Sequence, residues 1–349
     1  MRSVRVRASR EYDVLIEKGS LDRVGELTLG VRSPSRAVIV TDETVAPLYA
    51  DRLERSLIAA GFEPALFTIP ASESSKGADT YLSLISFLAD SSITRSDCLF
   101  ALGGGVVGDL CGFCAATYLR SIDYVQIPTT LLAMVDSSVG GKTAINIPEG
   151  KNLIGAFHQP SRVICDPDLL LTLDKEQFLC GMAEVLKYGI IEGGALFDSL
   201  ESPSTLDIDS VIEACVRIKS RIVSLDETDT GERRLLNLGH TTAHAIESLS
   251  SFEIPHGIAV AIGTAIITRA SHSLGLCDSA TLDRVISTIE AHGLPTHSHF
   301  GARELFDAAM SDKKRHGDTI SLVMPYSIGD VRVVEISISS LEDIFKRGS

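Results

Sequence analysis

Cys98-Leu99-Phe100-Ala101-Leu102-Gly103-Gly104-Gly105-Val106-Val107-Gly108-Asp109 carries the clearest architectural signal in the chain. It opens with a continuous apolar run of strand length, the pattern of a strand covered on both faces. Three glycines end the run, and the small apolar residues 110–118 beyond Asp109 predict a helix. Strand, glycine turn and helix in that order bring backbone N–H groups to a helix N-terminus, where phosphate is favoured. The spacing is not G-x-G-x-x-G, so two readings stand: a nucleotide-binding turn, or a tight turn that lets the helix pack closely.

Toward the N-terminus, residues 79–89 have helical spacing, and 70–77 form a serine-rich loop holding Glu73 and Lys76. Residues 65–69 read as a strand and 45–60 as a helix stopped by Gly61. Residues 37–41 (Ala-Val-Ile-Val-Thr) read as another doubly covered strand, followed by Asp42. Alternation at Val4, Val6, Val14 and Ile16 places two strands within residues 1–20. Toward the C-terminus, 124–127 form a strand ending at Pro128-Thr129-Thr130. Its two hydroxyls stand at the carboxyl end, where ligands of parallel sheets bind. This alternation of strand and helix predicts an open parallel α/β sheet.

Asp136-Ser137-Ser138-Val139-Gly140-Gly141-Lys142-Thr143-Ala144-Ile145-Asn146 comes next. Its Gly-Gly-Lys-Thr resembles the end of a phosphate loop, but the first glycine of G-x-x-x-x-G-K-[ST] falls on Asp136, and that reading is rejected. Lys151-Asn152 closes this polar region. From about Asp168 strand-like runs give way to helical periodicity up to about residue 310. Two domains are predicted: a Rossmann-like parallel-sheet α/β domain over 1–168, and a mainly α-helical domain over 169–349 with short strands near 323–325 and 331–334.

The length of 349 residues fits two cores better than one. Hydrophobic content of 44% and charged content of 22% are those of a soluble globular chain. A net charge of −14 argues against nucleic acid or an anionic membrane as partner, though not against a small anion held by local cations. The seven cysteines are odd in number and lie mostly in apolar runs, so they read as buried thiols of a reducing compartment. Cys111-Gly-Phe-Cys114 has no second pair and reads as core packing rather than zinc. No apolar run reaches the roughly 20 residues that span a bilayer. Met1-Arg2-Ser3-Val4-Arg5 shows no apolar signal core, and a cytoplasmic location is expected.

The helical half carries its own chemistry. His240 and His244 are four apart, on one helical face, and His256 follows in the next segment. Such a set can begin a divalent metal site or be a buried structural cluster. Glu184 and Lys187, in Gly181-Met182-Ala183-Glu184-Val185-Leu186-Lys187, are three apart. Glu-x-x-Lys is usually a surface ion pair. Here Met182, Ala183, Val185, Leu186, Ile190 and Ile191 are apolar nearly all round, and a buried Glu wants a metal or a cation. Glu184 with two of the three histidines makes a catalytic zinc set with an open position; spacing leaves open which two. Lys142, Lys151, Lys187, Lys219, Arg233 and the Asp312-Lys313-Lys314 run suggest an anionic substrate.

Gly-Gly-Gly-Val-Val-Gly-Asp (103–109), Ala-Thr-Tyr-Leu-Arg (116–120), Gln-Ile-Pro-Thr-Thr-Leu-Leu-Ala-Met-Val-Asp-Ser-Ser-Val-Gly-Gly-Lys-Thr (126–143), Gly-Lys-Asn-Leu-Ile-Gly (150–155), Gly-Met-Ala-Glu-Val-Leu-Lys (181–187) and Leu-Leu-Asn-Leu-Gly-His-Thr (235–241) together resemble the 3-dehydroquinate synthases of the sugar phosphate cyclase superfamily, over nearly the whole chain. The resemblance implies a dehydroquinate synthase-like fold, NAD in the N-terminal domain and a catalytic Zn2+ (or Co2+) in the helical one. The implied substrate is 3-deoxy-D-arabino-heptulosonate 7-phosphate. One hydroxyl is oxidised by bound NAD+, phosphate is eliminated, the ketone is reduced back and the opened ring closes as a carbocycle.

By position the resemblance implies Glu184, His240 and His256 as metal ligands, with His244 beside the substrate as an aid to proton transfer. Asp136, Lys142, Asn152, Lys187, Lys219, Arg233 and Asn237 match substrate contacts, as does Lys313 or Lys314. Arg120 matches an arginine that reaches a neighbouring subunit's substrate phosphate, which implies a homodimer. Asp42, Glu73, Lys76, Gly104, Gly105, Asp109, Thr129, Thr130, Lys151 and Thr172 match NAD contacts, and Lys142 is counted with them too.

Four positions depart from the family's common pattern. Asp229 stands where Glu is frequent, one methylene shorter and so set back from a proton-relay role. Ser121 replaces a common glycine, and Thr242-Ala243 an aromatic-glycine pair. The rival readings are a sister cyclase making a valiolone- or inosose-type ring, a metal-dependent polyol dehydrogenase, and a non-catalytic NAD sensor. Asn237 with Arg233, Lys219 and the late lysines favours a carboxylate-bearing substrate over the first.

Overall fold

A computed structural model of the chain describes residues 1–312 and 318–349; Lys313 and Lys314 lie outside the described residues. Eleven strands are described: β1 (Arg2–Val6), β2 (Tyr12–Ile16), β3 (Arg36–Asp42), β4 (Glu63–Ile69), β5 (Cys98–Gly103), β6 (Asp123–Pro128), β7 (Lys142–Ile147), β8 (Gly150–Phe157), β9 (Arg162–Cys165), β10 (Thr319–Ser327) and β11 (Asp330–Ser337). The chain divides into two units, Met1–Asp174 with Ile208–Thr228, and Lys175–Asp207 with Asp229–Ser349. The division is therefore not the single cut after residue 168 expected from composition. The helix Ile208–Leu225 belongs with the first unit because it packs on β1 and β2.

The first unit holds a seven-stranded sheet of order β1-β2-β9-β6-β5-β3-β4. Its strands pair in parallel except β1 with β2, so the expected parallel sheet carries one antiparallel edge strand. β5 is buried at every position, as its unbroken apolar run requires. The helices Ala78–Asp90 and Gly105–Thr117 bring Leu84, Leu88, Leu110, Cys111 and Cys114 against Val38, Val40, Leu99 and Ala101. Each large apolar side chain fully buried there contributes about 1.5–3 kcal/mol. The Cys-x-x-Cys pair is thus core, and burial pushes both thiols up. All seven cysteines are buried, and none is held in a disulfide. After β3 the chain adds β4 on one side, then β5 on the other, so the strand order reverses between β3 and β5. Such a reversal opens a crevice at the carboxyl ends of the strands. The hairpin β7–β8 was not anticipated; Gly140, Gly141 and Gly150 obscure its alternation.

The second unit is mainly helical, with the hairpin β10–β11 where two short strands were expected. Its centre is the helix His256–Ser273, packed against the helices Lys175–Glu192, His240–Leu249 and Ile338–Gly348. Ala259, Val260, Ala261, Ile262, Ala265, Ile266 and Ile267 are all buried, so this helix is apolar all round instead of along one stripe. Among the described residues no helix is long and apolar enough to cross a membrane.

Candidate functional site

In the second unit three helices deliver the metal candidates. Glu184 lies midway along Lys175–Glu192, His240 is the first residue of His240–Leu249, and His256 the first of His256–Ser273. Both histidines therefore sit at helix starts, where the preceding turns set their approach. One ligand atom from each of Glu184, His240 and His256 lies within 4.8 Å of the others. Glu184 Oε1 is 3.6 Å from His240 Nε2 and 3.4 Å from His256 Nε2. Metal–ligand bonds of about 2.0–2.2 Å in a tetrahedron put neighbouring donors about 3.4 Å apart, so the set fits a zinc-sized ion.

The tautomers fit as well. His240 Nδ1 is 3.1 Å from the Leu238 carbonyl, which only accepts, so Nδ1–H donates and Nε2 keeps its lone pair. His256 Nδ1 donates to Glu247 Oε2 at 3.0 Å. Burial, then the Lys187 charge, lower His240 to about 3 and keep it neutral, as a ligand must be. Burial also works to lower His256, but the hydrogen bonds and charges of Glu184 and Glu247 outweigh it and raise it to about 10. The two carboxylates thus make this cluster attractive to a cation. His244, Glu247 and His256 form a second set within 4.8 Å.

Lys187 is only 2% exposed and pairs with Glu184 Oε2, with its ammonium 5.0 Å from the Tyr188 ring centroid. The Glu-x-x-Lys pair is buried, as its apolar flanks suggested. Arg233 is buried, whereas Asn237 and His244 are exposed in the same unit.

In the first unit, Asp42 ends β3, Gly104 and Gly105 follow β5, and Thr129 and Thr130 follow β6. All five stand at the carboxyl edge of adjacent strands. A Cβ on Gly104 would stand 3.1 Å from Thr130 Cγ2 and 3.6 Å from its Oγ1, a contact tight enough that the threonine would have to give by a few tenths of an ångström. Thr129 Oγ1 is buried with no hydrogen-bond partner among the described residues, an orphan a ligand would satisfy. Asp42 Oδ1 accepts from the Thr44 and Val45 N–H groups, which caps the turn after β3. Thr172 Oγ1 is 2.5 Å from the Tyr49 hydroxyl.

Lys76 is buried and joins Asp109 and Asn152 Oδ1, the latter at 2.5 Å. Burial pushes the Asp109 carboxyl up and the Lys76 ammonium opposes it. Asn146 extends this network: its Nδ2 donates to Glu73 Oε1 at 2.8 Å and its Oδ1 accepts from Asn152 N–H at 3.0 Å. Asn152, expected among substrate contacts, is thus bonded to a residue expected among NAD contacts. Lys219 Nζ is 2.9 Å from Asp136 Oδ1 and 2.7 Å from the Asp136 carbonyl. Lys142 is exposed at the start of β7, Lys151 half-buried in β8, and Arg120 exposed.

The family model described as 3-dehydroquinate synthase N-terminal matches residues 66–180, and the one described as 3-dehydroquinate synthase C-terminal matches residues 181–315. The chain belongs to the 3-dehydroquinate synthase family. A 3-dehydroquinate synthase of Streptococcus sanguinis (strain SK36) is 42% identical over 344 residues, 96% of this chain and 97% of the relative. One from Caldanaerobacter subterraneus subsp. tengcongensis is 41% identical over 346 residues, 97% of this chain and 96% of the relative. Among solved structures, a 2-epi-5-epi-valiolone synthase from Streptomyces hygroscopicus subsp. jinggangensis 5008, with NAD+ and Zn2+ bound, has a TM-score of 0.85 and 29% identity and covers 98% of each chain. A probable glycerol dehydrogenase from Sinorhizobium meliloti 1021, at TM-score 0.66 and 14% identity over 95% of each chain, shares the fold alone. The fold is therefore common to cyclases and dehydrogenases, and membership of the 3-dehydroquinate synthase family rests on the sequence match.

Two residues of these clusters were missed as site residues. Glu247 is seven residues beyond His240 and three beyond His244, so its place on their helical face was legible. Asn146 closes the same run as Asp136 and Lys142, but only the β7–β8 hairpin brings it to Asn152.

Proposed function

We propose that the chain is a carbon–oxygen lyase that converts 3-deoxy-D-arabino-heptulosonate 7-phosphate to 3-dehydroquinate and phosphate, in the shikimate route to chorismate and aromatic amino acids. The observation that carries this is the convergence of Glu184, His240 and His256 with both Nε2 atoms turned toward one carboxylate oxygen, in a chain of this family. The Zn2+ and NAD+ of the valiolone synthase neighbour support the same pair of cofactors here. Glu184, His240 and His256 would hold Zn2+ or Co2+, which would supply Lewis acidity at a substrate hydroxyl, and the residues at the carboxyl edge of β3, β5 and β6 would hold NAD+, which would supply a reversible hydride acceptor.

The chain's own residues do the rest. Gly104, Gly105, Thr129 and Thr130 leave room for a nucleotide beside a helix N-terminus, and Asp42, Glu73, Lys76, Asp109, Lys151 and Thr172 complete that set. Lys142, Lys187, Lys219, Arg233 and Asn237 bind and orient the phosphate and carboxylate, with Lys313 or Lys314 among them. Asp136 holds the Lys219 ammonium in place, and His244 moves a proton at the substrate. Arg120 acts on the substrate of a second copy, so the working unit is a homodimer. The enzyme is cytoplasmic.

The test is phosphate release from the heptulosonate phosphate with zinc and substoichiometric NAD+, followed alongside NADH absorbance. Phosphate far exceeding NAD+, with no lasting NADH, is the expected result. Turnover of sedoheptulose 7-phosphate or glucose 6-phosphate instead would make it a sister cyclase, and accumulating NADH a dehydrogenase.

A further inference from the structure

Glu247 is an acid where a buried helix face gives no reason for one. It lies two residues before the end of His240–Leu249, is 5% exposed, and has Ala243, Ala245 and Ile246 as buried neighbours. Burying a carboxylate is costly unless donors satisfy it. Its Oε2 lies 3.0 Å from His256 Nδ1, on the side of the imidazole opposite the atom that faces Glu184.

We infer that Glu247 is a positioning residue for His256: its carboxylate accepts a hydrogen bond from Nδ1–H, which fixes the tautomer with its lone pair on Nε2 and holds the ring toward Glu184. This rests on the proposed metal site at Glu184, His240 and His256. An imidazole free to rotate about its side-chain bonds would present either nitrogen, and ordering it would cost binding energy. A carboxylate partner removes that cost and makes the ligating nitrogen more basic. His240 is held by a neutral carbonyl, so the two histidines differ in donor strength. The rival role for Glu247 is direct ligation together with His244 and His256, whose ligand atoms also lie within 4.8 Å. A hydrogen bond to Nδ1 and a metal on Nδ1 exclude one another, and the Glu184 set uses Nε2 of both histidines.

The experiment is zinc titration of the full-length protein against a competing fluorescent chelator, for wild type, E247Q and E247A, with the cobalt absorption spectrum of each. NAD+ affinity and the melting temperature of the zinc-stripped proteins serve as fold controls. The expected result is a zinc affinity lower by roughly 10- to 100-fold in E247A. The loss is smaller in E247Q, whose amide oxygen still accepts from Nδ1, and the cobalt bands stay in place in both. Wild-type affinity in both variants would overturn the inference while leaving the metal site standing. Cobalt bands shifted as by loss of a donor would make Glu247 a ligand and overturn it too. A wild-type protein that takes up no zinc would overturn the metal site, and the inference with it.

Discussion

Gly257 lies so close to Cys180 that a Cβ built on it would stand 2.3 Å from both the Cα and the carbonyl oxygen of Cys180. The helices Lys175–Glu192 and His256–Ser273 touch there through backbone, one residue from His256 and four from Glu184. Gly257→Ala must push the helices apart, and the atoms it meets are backbone and do not yield. We expect a loss of about 1–3 kcal/mol in urea unfolding together with weaker zinc binding. An unchanged midpoint would refute the close approach.

His256→Ala removes one of the three candidate ligands, Glu184, His240 and His256. Zinc content after gel filtration should fall well below one per chain, and activity with it. EDTA should abolish wild-type activity, and Zn2+ or Co2+ should restore it. Full metal retention by the variant would remove His256 from the ligand set.

Lys142 is exposed at the first position of β7. Lys142→Ala should lower kcat/KM about 10- to 100-fold, the size of a charged hydrogen bond lost from substrate, with a smaller effect on NAD+ affinity. Unchanged catalytic efficiency would exclude the substrate role.

Ser121 has φ 113°, and Leu119 and Arg120 before it are also at positive φ, 50° and 67°. A Cβ is disfavoured in that region. Ser121→Gly should therefore stabilise the protein by about 1 kcal/mol, read as a rise in the urea midpoint. A lower midpoint would show that the serine side chain holds the turn.

His158 stacks on Tyr124, with ring centroids 5.4 Å apart and planes 18° apart, and its Nε2–H donates to the Ile122 carbonyl at 3.0 Å. Burial lowers its pKa, so the folded protein favours the neutral ring while the unfolded chain titrates near 6.5. This contribution is complete above about pH 6.5 and is lost as pH falls through that value toward the folded pKa. Wild type should lose more stability between pH 7.5 and 5.5 than His158→Gln, and equal slopes for the two would contradict this.

The readable parts of the chain were those whose environment repeats along it. β3, β5 and β6 are covered on both faces, so their burial appears as mostly apolar runs at 37–41, 98–102 and 124–127, broken only by Thr41 and Gln126. The hairpin β7–β8 escaped because five of the eight β8 positions are exposed and glycines interrupt it, leaving no strand pattern to read. The return of 208–225 to the first unit escaped for a different reason. Its apolar stripe says that it packs on something, and not on what.

The family, the alternation of doubly covered strands with helices, and the residue types able to hold a metal and a nucleotide were legible in the chain alone, because these depend on side-chain chemistry and local spacing. Tertiary structure alone decided how those residues are used. It put Glu184 against the Nε2 atoms of residues 56 and 72 positions away, placed Glu247 on the far side of His256, and joined Asn152 to Lys76. Those relations arise where helices and strands distant in the chain pack together, and no local pattern records which of them meet.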